Sequence, residues 1–332
     1  MVYKNSLKMS GRGIIGIDIG GTKISACVGD EKGKVQISQR IHTQPLQGSQ
    51  KGIPAIFNLI REVLQDAKVS LKDIQALGIS SPGPIDSKAG MMLNPPNLKG
   101  WENTELVRLF AEEFKIPVFM NNDANAAGLA EYEFGHLKGT PNLIYLTNST
   151  GMGGGVIIDG KLLQGISDTA GEVGHYCLDI HGPPCPCGLH GCFEVYCGGA
   201  SLAKTIRERI KKEKISTDIL KEAGGNIDNI DIIHLIEALK KKDAFAISIW
   251  GDFIERLAQG IGVILMCFNP DAIILGTIAI HAQDLLIKPL LKTLPKYAWK
   301  QPIQACTIEP SILGDQISEL SALAVAIAGI KG

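Results

Sequence analysis

Four segments of this chain carry residue types able to do chemistry. The first is DIGGTK, Asp18 to Lys23. Asp18 offers a carboxylate suited to hydrated Mg²⁺. Gly20 and Gly21 let a phosphoryl group approach the backbone N–H groups, and Thr22 adds a hydroxyl. This is neither a Walker loop nor a dinucleotide fingerprint, because a second β-prone run, not a helix, follows the glycines. Alone, it suits an ordinary hairpin with an exposed Asp equally well. A second polar, glycine-rich turn at Ser149, Thr150, Gly151, Gly153, Gly154 and Gly155 shifts the balance. A cleft with a phosphate-holding turn on each wall accounts for both.

The third segment is NNDANAAG, Asn121 to Gly128, which follows a β-prone run and opens a helix. Helix capping alone favours Asn or Asp there. The functional reading makes Asp123 the general base that takes the proton of a sugar hydroxyl as the γ-phosphoryl group of ATP arrives, with Asn122 aligning a neighbouring hydroxyl. A loose phosphoryl transition state needs little nucleophilic push, so a well-placed carboxylate suffices. The helix start should keep Asp123 ionised at neutral pH.

The fourth segment runs from Ala170 to Gly199 and holds five of the eight cysteines, from Cys177 to Cys197. His175, Cys185, Cys187 and Cys192 supply one imidazole and three thiolates, a set that suits tetrahedral structural zinc. Cys177, Cys197, His181 and His190 are alternative ligands by type. Gly188 and Gly191 would let the chain wrap around an ion. Glu172 and Glu194 flank the cluster, and carboxylates are strong acceptors for sugar hydroxyls. His175 could ligate zinc through one nitrogen and meet a sugar hydroxyl with the other. The plain alternative leaves both glutamates facing solvent.

These segments need a framework, and the periodicity predicts one. Two β-prone runs flank each glycine turn, over Ile14 to Val28 and Leu143 to Ile158. Apolar spacing predicts a helix with Ile56, Leu59, Ile60, Val63 and Leu64 on one face, and another with Leu106, Leu109, Phe110 and Phe114. Strands are expected at Ile74 to Ser80, Ile116 to Met120 and Ala272 to Gly276. A charged helix is expected from Leu202 to Lys214, and a long one from Ala244 to Cys267 in which Gly251, Gly260 and Gly262 mark close packing. The stretch 211–231 reads as loop-like and peripheral. Helices alternating with short strands argue for an α/β layer structure. Two domains are expected: 1–122, completed by a terminal helix 316–332, and 123–315, with the metal loop 175–192.

The bulk properties agree with a small-molecule enzyme. The chain has 332 residues, 45% hydrophobic content and a formal net charge of -1, so nothing in the balance asks for nucleic acid. Residues 1–12 lack an apolar core and a cleavage site, and no apolar run is long enough for a membrane span. A cytoplasmic protein is expected, with clustered cysteines for metal and not for disulfides.

The motifs DIGGTK at Asp18, SPGPID at Ser81, NPPNLKGW at Asn94, NNDANAA at Asn121, GMGGG at Gly151, GEVGH at Gly171, CPCGLHGCFE at Cys185 and NPDAIILG at Asn269 span nearly the whole chain. In that order they resemble the ROK family of sugar kinases and sugar-responsive repressors. The resemblance implies the two-lobed actin and hexokinase-like ATPase fold, built of duplicated ribonuclease H-like domains with an interlobe cleft. It implies Asp123 as base, sugar contacts at Gly83, Asn97, Asn122, Glu172, His175 and Glu194, and zinc on His175, Cys185, Cys187 and Cys192. Nucleotide contacts are implied at Asp18, Gly20, Gly21, Thr22, Lys23, Thr150, Gly151 and Gly276, with ATP and Mg²⁺, a hexose substrate and a homodimer or tetramer. GEVGH together with GPPCPCGLHGCFEVY looks most like the family's bacterial glucokinases. Kinases of N-acetylmannosamine, N-acetylglucosamine or fructose, and a non-catalytic sugar sensor, are the alternatives. A repressor would need DNA-binding helices ahead of the first strand, where only 1–13 are available.

Two departures stand out. Thr277, Ile278 and Ala279 follow Gly276 where relatives commonly carry glycines, and Asn148 and Ser149 precede the second turn in place of smaller residues. Altered nucleotide affinity is the expected consequence.

Overall fold

The computed structural model describes residues 3–4, 11–46 and 48–332. The amino-terminal segment read above for export and DNA-binding signals lies largely outside them. The chain divides into two compact units: Met1–Thr140, Gly155–Ala170 and Leu313–Gly332 form one, and Pro141–Gly154 with Gly171–Ile312 the other.

The first unit is built on a mixed six-stranded sheet in the order Tyr3–Lys4, Val35–His42, Lys23–Gly29, Gly13–Ile19, Ile74–Ser81 and Val118–Asn122. Gly13–Ile19 is central, antiparallel to Lys23–Gly29 and parallel to Ile74–Ser81. Its near-continuous apolar text fits a strand covered on both faces. The strand expected from Ile116 starts later, at Val118, because Pro117 has no N–H to give the ladder.

On one side, the helix Ser49–Ala67 places Ile56, Leu59, Ile60, Val63 and Leu64 in the core beside Trp101, Phe110 and Phe114. Each such burial contributes about 1.5–3 kcal/mol. The helix Ile317–Lys331 lies against the same sheet at very short range. A Cβ on Gly78 would fall 2.0 Å from the Ala322 carbonyl oxygen. Its run of Ala322, Ala324 and Ala326 therefore reflects a tight seat, with all three fully buried.

A second mixed sheet has the order Lys161–Leu162, Met152–Ile158, Leu143–Asn148, Ala272–Leu275 and Thr307–Pro310, the last three mutually parallel. The two sheets repeat one plan, an antiparallel hairpin joined to parallel strands. In the second unit the helix Ala244–Phe268 buries Ile249, Phe253, Leu257, Ile261 and Ile264. Gly260 and Gly262 seat Phe193 and Tyr297, whereas Gly251 meets nothing within 4 Å and is exposed, contrary to the expectation of close packing there.

The stretch 211–231 is more ordered than its composition suggested. Thr217 caps a helix over Asp218–Glu222, and its hydroxyl donates to Asp243, the cap of the long helix. No helix among the described residues is long and apolar enough to cross a membrane.

Candidate active site and metal centre

In the first unit, Gly13–Ile19 and Lys23–Gly29 form the expected hairpin around Gly20, Gly21 and Thr22. Neither glycine is needed for a left-handed backbone. A Cβ on Gly20 would sit 2.9 Å from the Lys23 carbonyl oxygen, and one on Gly21 3.1 Å from that of Asn97. Asn97, expected at the sugar, thus has its backbone packed on this turn. Gly21, Thr22 and Lys23 are exposed.

Asp18 is not the exposed hairpin residue of the plain alternative. It is partly buried, and the Ser80 hydroxyl donates to it at 2.9 Å. Burial raises its carboxyl above the ordinary value, hydrogen bonds from Ser80 and Ser318 oppose that, and the charge of Glu319 adds to it. A lone carboxylate at a strand end fits a Mg²⁺ ion that keeps most of its waters.

Asp123 is the first residue of the helix Asp123–Phe134 and is exposed. Capping does not explain it, because Asn122 is the cap, its Oδ1 accepting the Asn125 N–H at 2.7 Å. Asn122 therefore has its amide NH₂ and the second lone pair of Oδ1 to offer a ligand. The Asp123 carboxylate accepts the N–H of Ala124. A close crossing seats this helix start: a Cβ on Gly155 would lie 2.6 Å from the Ala124 carbonyl oxygen and 2.9 Å from the Gly128 Cα. Gly83 lies in the loop after Ile74–Ser81, and a Cβ there would meet only open space.

In the second unit, ligand atoms of His175, Cys185, Cys187 and Cys192 all lie within 4.8 Å of one another. The Sγ atoms of Cys187 and Cys192 are 3.7 Å apart, and Cys185 Sγ is 3.7 Å from His175 Nδ1. Tetrahedral zinc with sulfur at about 2.3 Å spaces its sulfurs at about 3.8 Å. The donor set and its spacing fit zinc. The alternatives fall away by position: Cys197 is fully buried with its Sγ toward the Phe253 carbonyl, and Cys177, His181 and His190 stand outside the cluster.

The loop is shaped and supported by its neighbours. Gly191, at φ 62°, has no room for a Cβ, which would fall 1.7 Å from the Asp179 carbonyl oxygen. Tyr176 stacks on Phe193 at 5.4 Å and donates its hydroxyl to the Gly260 carbonyl at 2.6 Å, while Gln259 donates to the Leu178 carbonyl. Burial pushes the Cys192 thiol up to about 12, with the Cys187 and Cys185 thiols adding to it.

Glu194 follows at the start of the short helix Phe193–Cys197, and its Oε2 accepts the Met152 N–H at 2.8 Å. A side chain at Gly151 would force Glu194 to shift, since a Cβ there would fall 2.4 Å from that same oxygen. The second turn is also tied down at its carbonyls: Gly199 and Ala200 donate their N–H groups to Ser149 and Thr150 at 2.7 and 2.9 Å. Glu172 is exposed, three residues before His175.

Beside this turn opens a cavity of about 730 Å³ lined in part by Ser149, Thr150, Ala200, Arg207, Ile278 and His281. Its size and mixed lining suit a nucleoside-sized ligand. Asp228, Asn229, Ile230 and Asp231 line it too, so the end of the stretch read as peripheral forms part of its wall. Gly276 does not line it. That glycine accommodates the Tyr145 ring, a Cβ there falling 2.3 Å from its hydroxyl, and Thr277 is the residue that reaches the cavity.

Arg207 and His281 gave no signal in the sequence. One lies in a charged helix and the other in an unremarked run, and only folding brings them to one wall.

The ROK family model matches residues 14–328. A glucokinase of Thermotoga maritima is 32% identical over 284 residues, covering 86% of this chain and 87% of its own. A xylose repressor of Caldicellulosiruptor bescii is 30% identical over 314 residues, covering 95% of this chain and 78% of the repressor. Among solved structures, a ROK hexokinase from Thermus thermophilus superposes with a TM-score of 0.81 at 30% identity, over 96% of this chain and 99% of that one.

Proposed function

The chain belongs to the ROK family, as one of its sugar kinases, and we propose that it transfers the γ-phosphoryl group of ATP to glucose, giving glucose 6-phosphate and ADP. The observation that carries the reading is the joining of three parts in the second unit. A metal-type cluster holds the loop that bears Glu194, Glu194 is bonded to the second glycine turn, and that turn borders a cavity of nucleoside size. A sugar site and a phosphate site built on shared residues suit a phosphotransferase better than a binder of sugar alone.

In this reading Asp123 accepts the proton of the attacking hydroxyl. Asn122, Glu172, His175 and Glu194 bind and orient the sugar ring, His175 through the nitrogen that does not face the thiols, and Gly83 and Asn97 are assigned as further sugar contacts. Gly20, Gly21, Thr22, Lys23, Thr150 and Gly151 take the phosphates, and Thr277 and Ile278 border the nucleoside. Asp18 would hold the hydration shell of Mg²⁺, which when bound with ATP spreads the charge of the phosphates. Zinc on His175, Cys185, Cys187 and Cys192 is structural, because four protein ligands leave no open position. We assign a homodimer on the family resemblance.

The test is ADP release by the purified protein with Mg²⁺ and ATP over glucose, mannose, fructose, xylose, N-acetylglucosamine and N-acetylmannosamine. The expected result is turnover with glucose at the highest kcat/KM. Turnover of another sugar would replace glucose and keep the kinase. Silence from folded, zinc-loaded protein that still binds a sugar would favour a sugar sensor, a reading that the likeness to a xylose repressor also supports.

A further inference from the structure

We infer that Thr43, which lies outside every motif that carries the nucleotide reading, is the positioning residue that aims the first glycine turn at phosphate. Thr43 directly follows the strand Val35–His42 and is only 7% exposed. Its N–H donates to the Thr22 carbonyl at 3.0 Å, and its hydroxyl donates to the Gly20 carbonyl at 2.7 Å.

The consequence follows from peptide geometry. In a trans peptide the C=O of one residue and the N–H of the next point in opposite directions. Securing the Gly20 carbonyl on Thr43 therefore turns the Gly21 N–H away from Thr43. A peptide plane between two glycines has little steric reason to keep one orientation. If it reversed, the turn would offer an incoming phosphate a carbonyl oxygen in place of an N–H donor.

The second turn meets the same need by another device. There the N–H groups of Gly199 and Ala200 hold the carbonyls of Ser149 and Thr150. At the first turn the hydroxyl of the buried Thr43 does that work for the Gly20 carbonyl. Asn97, with its carbonyl oxygen 3.1 Å from where a Gly21 Cβ would stand, closes against the turn as well. The inference rests on the reading of this turn as a nucleotide-phosphate site.

The test compares wild type with Thr43→Val, Thr43→Ala and Thr43→Ser. Each is measured for the dissociation constant of Mg²⁺·ADP by calorimetry, for KM with ATP and with sugar, and for Tm. Val and Ala keep the backbone bond and lose the hydroxyl, so ADP affinity should fall and KM for ATP rise roughly tenfold, the value of about one hydrogen bond. The sugar KM should stay within about twofold, and Ser should bind nucleotide as wild type does.

Unchanged nucleotide affinity in a folded Val or Ala variant overturns the inference and leaves the kinase reading standing. Parallel loss of sugar and nucleotide affinity that Ser does not restore also overturns it, since that pattern belongs to general damage. If Val does not fold, the Ala and Ser pair decides alone. Failure of wild type to bind any nucleotide would remove the kinase reading, and this inference with it.

Discussion

The backbone N–H of Met152 donates to Oε2 of Glu194 at 2.8 Å, so a carboxylate assigned to the sugar is bonded to the turn assigned to the phosphates. Glu194→Gln keeps an acceptor for Met152 but loses the charge. Its sugar KM should rise by more than about tenfold, with the ATP KM little changed. Glu194→Ala removes the acceptor too, and its ATP KM should rise severalfold as well. Measured separately with each substrate saturating in turn, an Ala variant that moves only the sugar KM would show that this bond transmits nothing.

Asp123 is exposed and free of the capping role that Asn122 fills. Asp123→Asn should therefore leave the helix intact and lower kcat by about 10²- to 10⁴-fold. The sugar dissociation constant, read by calorimetry, should stay within about threefold. A comparable loss of binding would make Asp123 a sugar anchor and not the base.

Zinc analysis should find about one ion per chain, removed by Cys187→Ser or a strong chelator. The loop then loses what holds its thiols at 3.7 Å, so Tm and sugar affinity should both drop. Metal entry must also displace the proton from Cys192, whose thiol is pushed up to about 12, so zinc affinity should fall as pH is lowered. Full zinc content in Cys187→Ser would exclude that ligand.

Asp18→Asn should separate stability from function. The Asp18 carboxyl is raised by burial, so its charged form destabilises the fold. That cost appears as pH rises through the carboxylate range and is complete above the raised value. Without Mg²⁺ at neutral pH, Asp18→Asn should melt at the same temperature as wild type or a few degrees higher, and any gain should vanish in acid. Turnover should fall by at least about 10²-fold. A clear drop in neutral Tm would mean that the carboxylate stabilises the fold as it stands.

Thr277 has φ 33° and ψ −86°, a conformation poorly suited to a β-branched residue. Such strain costs about 1–3 kcal/mol. Thr277→Gly should relieve it, offset by about 0.5–1 kcal/mol of added chain entropy, for a net rise in Tm. Because Thr277 lines the cavity, the ATP KM should shift by more than about threefold, while the sugar KM holds. A lower Tm would show that the backbone is comfortable there.

Much of the fold was legible because its signals are local. The helix faces at Ile56 to Leu64 and at Leu106 to Phe114, and the buried strand Gly13–Ile19, follow from periodicity alone. The clustering of His175, Cys185, Cys187 and Cys192 was legible because three cysteines of one short loop carry the same chemistry wherever the loop lies. The stretch 211–231 misled because its Lys, Asp, Asn and Gly content is shared by solvent loops and by polar cavity walls. Gly251 misled for a related reason: a glycine in a helix marks either close packing or nothing, and only the neighbour decides.

By itself the sequence determined which chemistry is available: carboxylates at Asp18, Asp123 and Glu194, four zinc-type ligands, and two glycine turns. Residue type and short spacing are enough for that. The tertiary structure alone decided that Thr43 clasps Gly20, that Glu194 bonds Met152, that Gly155 seats the helix start at Ala124, and that Thr277, not Gly276, reaches the cavity. Each of those relations joins residues that are distant in the chain or turns on which neighbour takes the space, and a backbone carbonyl or an absent Cβ leaves no mark in a sequence to say what it will meet.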